Sequence, residues 1–283
     1  MPPRFNRRKL SSAIQLALLS GAALAPMTAM SDVQLDEGGG AGATAATSIS
    51  NSADIAPAAD WLLVDGTNSQ ITGGVTNSGS ITAGGDGVSV FSSSTISGGI
   101  VNDGTITADD DAFHVDTSSA ISGGIINNGT ITTGDDAFFI DDTSTVSGGI
   151  INNGTVTVGD DFIDLNTSAD ISGEIINSGT ITADSIAFEL ESSSTISGAI
   201  TNNGTITTVG HAFFLGNSSA ISGEIINNGT ITTDLDAFFI DETSAISNGI
   251  INNGIITAGD EAFNVDTFSA ISGGVINNGT ITA

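Results

Sequence analysis

Apolar and polar residues along this chain follow one pattern that returns every 25 residues, from Ile71 to Ala283, without insertion or deletion. Residues 121–145 show it clearly. Ile121-Ser122 and two glycines lead to Ile125-Ile126, and Asn127-Asn128-Gly129 makes a turn, since Asn and Gly tolerate the left-handed backbone region. Thr130-Ile131-Thr132 alternates with a period of two, so Ile131 faces one side and both threonines the other. Gly134-Asp135-Asp136 turns again, and Ala137-Phe138-Phe139-Ile140-Asp141 sends Phe138 and Ile140 to one face. Three short, β-branched stretches broken by glycine exclude amphipathic helices. Nine such units, beginning at Ile71, Ile96, Ile121, Val146, Ile171, Ile196, Ile221, Ile246 and Ile271, predict a solenoid in which each repeat completes its neighbour's core. The expected fold is all-β: a right-handed parallel β-helix of nine 25-residue coils with three short strands per coil. At about 4.8 Å per coil the rod would be roughly 40 Å long.

Columns of the stacked units separate core from candidate surface. Ile or Val fills the positions of Ile121, Ile125 and Ile131 in every unit, and the Phe138 and Ile140 columns are apolar throughout. One column is asparagine in all nine units: Asn77, Asn102, Asn127, Asn152, Asn177, Asn202, Asn227, Asn252 and Asn277. Stacked asparagines can bond to those above and below, so this column reads as a structural ladder and not as chemistry. Its glycine neighbours create Asn-Gly-Thr sequons that the repeat itself explains.

Charge changes the picture next. The four basic residues, Arg4, Arg7, Arg8 and Lys9, precede a short apolar run, Ala13 to Ala25, and small residues follow. That is the plan of a secretory signal peptide over residues 1–31, with cleavage after Ser31 set by Ala29 and Ser31. Beyond it the chain holds 32 acidic residues and no Lys or Arg, so nucleic acid is excluded as a partner. The charge must instead be met by solvent, salt or bound cations. No cysteine is present, hence no disulfide framework. Residues 32–60, rich in Gly, Ala, Ser and Thr, read as a flexible segment, and 61–70 as an N-terminal cap, in which Trp61 to Asp65 resembles the third strand of a preceding coil one residue out of register. The β-helix occupies 71–283, and its last, incomplete coil leaves an open edge that reads as truncation and suits end-to-end self-association.

Candidate chemistry is sparse. Asp86, Asp111, Asp136 and Asp161 form an acidic column that breaks at Ile186 and His211 and resumes at Asp236 and Glu261. Such a ladder suits calcium, which takes oxygen ligands in loose geometry, although the glycine-rich calcium nonapeptide is absent. A solvated acidic face is the plainer account. Thr105 and Thr107, Thr130 and Thr132, Thr155 and Thr157, and Thr180 and Thr182 stack as two outward columns of the kind that solenoid ice-binding proteins use; good strand formers stacking on themselves also explain them. His114 and His211 fall in different columns, which shows no histidine metal cluster. The coil 196–220 has no acid at all and sets Phe214 near His211, a local contact patch or simple drift among repeats.

The run I-S-G-G-I-I-N-N-G-T-I-T, with N-S-G-T-I-T at Asn177 to Thr182, resembles the passenger repeats of Gram-negative autotransporters, the type V secretion family. The resemblance covers residues 71–283. It implies export across the inner membrane to the surface of a Gram-negative cell. It also implies an adhesin or stalk role toward a host or neighbouring-cell surface ligand. The family's β-barrel translocator is missing from this sequence. An enzyme is not expected: the repeated Asp110-Asp111, Asp135-Asp136 and Asp160-Asp161 look like turn chemistry, not one differentiated acid–base pair. Polysaccharide-active β-helices rely on Arg or Lys that this chain lacks after Lys9. No cofactor is expected apart from calcium.

Overall fold

A computed structural model describes Met27–Thr28, Val33–Leu35, Thr44–Ala45 and residues 48–283. Every strand pairs in parallel with the equivalent strand one coil away, giving a β-solenoid without a helix among the described residues. The elements of one coil are Ala120–Ile121, Ile125–Asn127, Thr130–Thr133 and Phe138–Ile140, and their repeats build four sheets. A coil thus has four strands where three were expected. The Ser122-Gly123-Gly124 bend splits the first stretch, with Gly124 at φ +76°, so Ile121 and Ile125 belong to different sheets. Glycine is required there: any Cβ on Gly124 would crowd the Gly148 carbonyl of the next coil.

The expected boundary at Ile71 also moves. Ile49–Asn51, Asp54–Ile55 and Leu62–Val64 pair with Val75–Asn77, Ser80–Ala83 and Val88–Val90, so part of the segment read as flexible, and the supposed cap, form a full preceding coil. Its partners are 26 residues apart, Asn51 to Asn77, against 25 in the coils that follow. The extra residue lies in the turn between Val64 and Gln70, because Gln70 already pairs with Thr95 at the regular spacing. The one-residue slip read at Trp61 to Asp65 is this turn, and the strands before it, Ile49–Asn51 and Asp54–Ile55, went unread because they lie outside the strict period. Met27–Thr28 pair with Ile49–Ser50; the rest of the expected leader and its cleavage site lie outside the described residues.

Inside, the Ile, Val and Phe columns are almost wholly buried, and burial of this continuous apolar column is the main force holding the coils together. Phe113 and Phe138 stack with ring centroids 5.1 Å apart, as do Phe188 with Phe213 at 4.6 Å and Phe213 with Phe238 at 4.7 Å. One coil replaces Ala-Phe by Phe162-Ile163. Phe162 then fills the line of rings from the neighbouring column, edge-on to Phe138 and Phe188 at 5.4 and 5.7 Å.

The turn after each phenylalanine strand stores strain. Two successive residues there have positive φ, as in Thr117 and Ser118 (57° and 60°) or Asp142 and Thr143 (47° and 62°). Asp142 is exposed, and its amide, which any residue would keep, is what donates to Asp141 Oδ1. Asp142→Gly therefore removes strain without removing that bond, and urea unfolding should show it more stable by about 0.5–1 kcal/mol. An unchanged or lower midpoint would count against strain in this turn.

Candidate functional site

The acidic column lies at the turn between the threonine and phenylalanine strands, and the fold places it inside the rod wall. Asp86, Asp111, Asp136 and Asp161 are 8, 7, 8 and 3% exposed. Each gives one oxygen to the backbone of the next coil: Asp86 Oδ1 accepts the Asp111 amide (3.1 Å), Asp111 Oδ1 that of Asp136 (2.9 Å), Asp136 Oδ1 that of Asp161 (2.8 Å), and Asp161 Oδ1 that of Ile186 (2.6 Å). The series begins one coil earlier, at Asp60, whose Oδ1 accepts the Asp86 amide, and continues at Asp236, whose Oδ1 accepts the Glu261 amide. Where His211 interrupts it, Nδ1 accepts the Asp236 amide instead (3.2 Å), which leaves the proton of the neutral ring on Nε2. Within each Asp-Asp pair the second residue is buried in this way, whereas Asp110 and Asp160 are exposed.

The second carboxylate oxygens meet a column that sequence reasoning passed over, the outward position of the phenylalanine strand. Ser89 Oγ lies within hydrogen-bond distance of both Asp86 Oδ2 (2.9 Å) and Asp60 Oδ2 (3.0 Å). His114 Nδ1 is 3.2 Å from Asp86 Oδ2 and 3.4 Å from Asp111 Oδ2. Asn264 donates to Asp236 Oδ2. In the same column stand Asp164 and Glu189, and these gather with Asp161 so that one oxygen of each lies within 4.8 Å of the others. The histidines thus do not form a cluster with each other, but each joins the acidic column separately. A signal for this was available in the spacing. Ser89, His114 and Asp164 each stand three residues beyond an Asp of the column, a short step over the turn, and all three are polar where the core columns never are.

Burial with no Lys or Arg to pair with sets the electrostatics. Desolvation, then the charge of Asp86, pushes Asp60 up to about 6 and Asp111 up to about 7. Desolvation followed by Asp111 pushes Asp136 up to about 9. Asp164 rises to about 8 through burial and then Asp161. Glu189 rises through burial and its hydrogen bond to Asp161. Burial alone would lower His114, but the hydrogen bond and charge of Asp86, with Asp111 and Asp116, raise it. The line can therefore hold protons between carboxyls at neutral pH. The mixed set Asp86, Asp111 and His114 also has the donor types and spacing for a divalent cation.

The asparagine column is a single continuous chain of bonds. Each Nδ2 donates to Oδ1 of the asparagine one coil on, at 2.8 Å, from Asn51 through Asn77, Asn102, Asn127, Asn152, Asn177, Asn202, Asn227 and Asn252 to Asn277. Asn51, unseen in the strict period, is its first member. A second, exposed column runs the opposite way, Asn153 to Asn128 and on to Asp103. On the outer face, Thr105, Thr130, Thr155, Thr180, Thr205 and Thr230 pair in register, as do Thr107, Thr132, Thr157, Thr182, Thr207 and Thr232.

No known protein-family model matches this chain, and no curated protein or solved structure does. Its own residues carry the functional argument.

Proposed function

We propose that the chain is the rod of a secreted bacterial surface protein of the autotransporter passenger kind, acting as a stalk or adhesin. The observation that supports this reading most is the in-register repetition of outward side chains, the two threonine columns above all, along one unbroken rod. Identical weak contacts repeated along a rigid face add through avidity, whereas each coil alone binds poorly. Antibodies to the rod should label intact cells of the bacterium that naturally makes it, and labelling only after lysis would sink the surface assignment. Beads coated with the purified rod should adhere to target cells, and deleting the whole coil 146–170 should reduce adhesion by a modest, graded factor. Complete loss on deleting that one coil would point to a single site there instead.

The His114 geometry favours a second reading, a rod stabilised by a divalent cation at Asp86, Asp111 and His114. One oxygen of each carboxylate is already oriented by a backbone amide, and the other, which at Asp86 also lies within hydrogen-bond distance of Ser89, faces His114. Calcium or zinc should then raise the melting temperature beyond magnesium at equal ionic strength, and His114→Ala should remove the zinc effect. Equal effects of all three salts would reduce this reading to charge screening.

A further inference from the structure

Three successive coils place apolar residues in the turn that follows the threonine strand. Elsewhere the turn reads Gly84-Gly85-Asp86, Asp109-Asp110-Asp111, Gly134-Asp135-Asp136, Gly159-Asp160-Asp161 and Gly259-Asp260-Glu261; here it reads Asp184-Ser185-Ile186, Val209-Gly210-His211 and Asp234-Leu235-Asp236. Val209 is 54% and Leu235 44% exposed, and no other large apolar side chain before Ile255 is exposed among the described residues. Gly210, the residue stacked beneath Leu235, lies against Ile186, since a Cβ there would meet Ile186 Cγ1 at 3.2 Å. His211 links the turn to the neighbouring face, its ring 5.0 Å from Phe239 and 6.1 Å from Phe214. Those two half-buried rings are 5.5 Å apart, at outward positions that hold Leu63, Ser89, His114, Phe139, Asp164, Glu189 or Asn264 in other coils. The exposed Val209 and Leu235 thus stand in the turn of His211 and that of the next coil, and the His211 ring reaches the pair Phe214 and Phe239. This patch, two exposed apolar turn residues beside two adjacent phenylalanines, occurs once among the described coils.

Its surroundings decide what fits it. Asp160, Asp184, Asp234, Asp260 and Glu261 are exposed around it, and the chain has no Lys or Arg beyond residue 9. A second copy of the rod, or an anionic lipid surface, would bring like charge against that rim, which costs free energy in any tight contact. We propose that this patch docks a cationic amphipathic segment of another protein, with apolar anchors on Val209, Leu235, Phe214 and Phe239 and lysine or arginine over the acidic rim. Burial holds His211 below its ordinary value, so the centre of the patch stays neutral at physiological pH. An apolar patch with a charged rim is the usual anatomy of a specific interface. This site does not depend on the avidity reading, since it is unique where the threonine columns are repeated.

The test uses the full rod at physiological salt and two labelled peptides of equal charge, one alternating leucine and lysine, the other serine and lysine. Fluorescence anisotropy should show the leucine peptide bound at least about tenfold more tightly. The double variant Val209→Ser/Leu235→Ser changes two exposed side chains and no charge, and its melting curve confirms folding. It should keep only a small part of that preference, the part carried by Phe214 and Phe239. Equal binding of the two peptides by the unmodified rod would leave only non-specific attraction and overturn the proposal. Discrimination undiminished in the double variant would place the apolar contact elsewhere and overturn it too. Salt-promoted dimers in sedimentation equilibrium that the double variant abolishes would make a second copy the occupant, which also overturns it.

Discussion

Chelator-treated rod is expected to be most stable near pH 4 and to lose stability steadily as the pH is raised to 9. The sign follows from the buried carboxyls. Asp60, Asp111, Asp136 and Asp164 all have folded values above the ordinary 3.8, at about 6, 7, 9 and 8. The folded rod thus binds more protons than the unfolded chain across that window, and its stability falls with rising pH. Their contribution is complete below about 4 and is lost as pH rises through each folded value in turn. His114, also raised, acts in the same direction above its ordinary value. His211 is lowered, so it alone costs stability as pH falls below about 6.5. Relief of repulsion among exposed carboxylates adds to the trend.

Asp136→Asn separates the buried group from that general repulsion. The amide keeps an oxygen for the Asp161 N–H, now 2.8 Å from Asp136 Oδ1, and carries no charge at any pH. Each tenfold change in proton affinity between folded and unfolded chain is worth about 1.4 kcal/mol, so the variant should be on the order of several kcal/mol more stable at pH 9. It should match the unmodified rod at pH 4. Urea unfolding at both values reads this directly, and an equal difference at the two would show that Asp136 does not titrate within the fold.

The second large effect concerns Asn152. Its Oδ1 accepts from Asn127 and its Nδ2 donates to Asn177, both at 2.8 Å and in a site 1% exposed. Asn152→Ala strands one donor and one acceptor, each costing about 1–3 kcal/mol when buried without a partner. A loss of roughly 2–6 kcal/mol is expected. Because solenoid stability is a sum over coils and their interfaces, unfolding should also separate into two transitions flanking this coil. Asn277→Ala, on an exposed coil where the side chain accepts from Asn252, should cost far less. Equal losses at the two positions would mean that the column packs but does not bond.

Much of this was readable from residues. A period held without error identifies the coils, because identical side chains must stack on one another once the pattern repeats. Ile121, Ile131, Phe138 and Ile140 announced the core by simple alternation, and each is buried. What misled was any feature that broke the strict count. The preceding coil, with Asn51 and Asp60, was shifted by a single turn residue. The fourth strand was concealed by a two-glycine bend. Phe162, one position early, reaches the line of rings only because neighbouring coils leave alanine beside it.

The sequence by itself determined the coil length, the apolar columns and the asparagine column, since each depends on spacing along the chain. It also determined a chain with no Lys or Arg past Lys9. Only the tertiary structure decided that the aspartates face inward, each tied to the next coil's amide, and not outward into solvent. It alone brought Ser89, His114, Asp164 and Glu189 to them across a turn, and set His211 against Phe214 and Phe239 in the coils where Val209 and Leu235 are exposed. Periodicity says which residues share a column, whereas which columns touch depends on how sharply the backbone turns between strands.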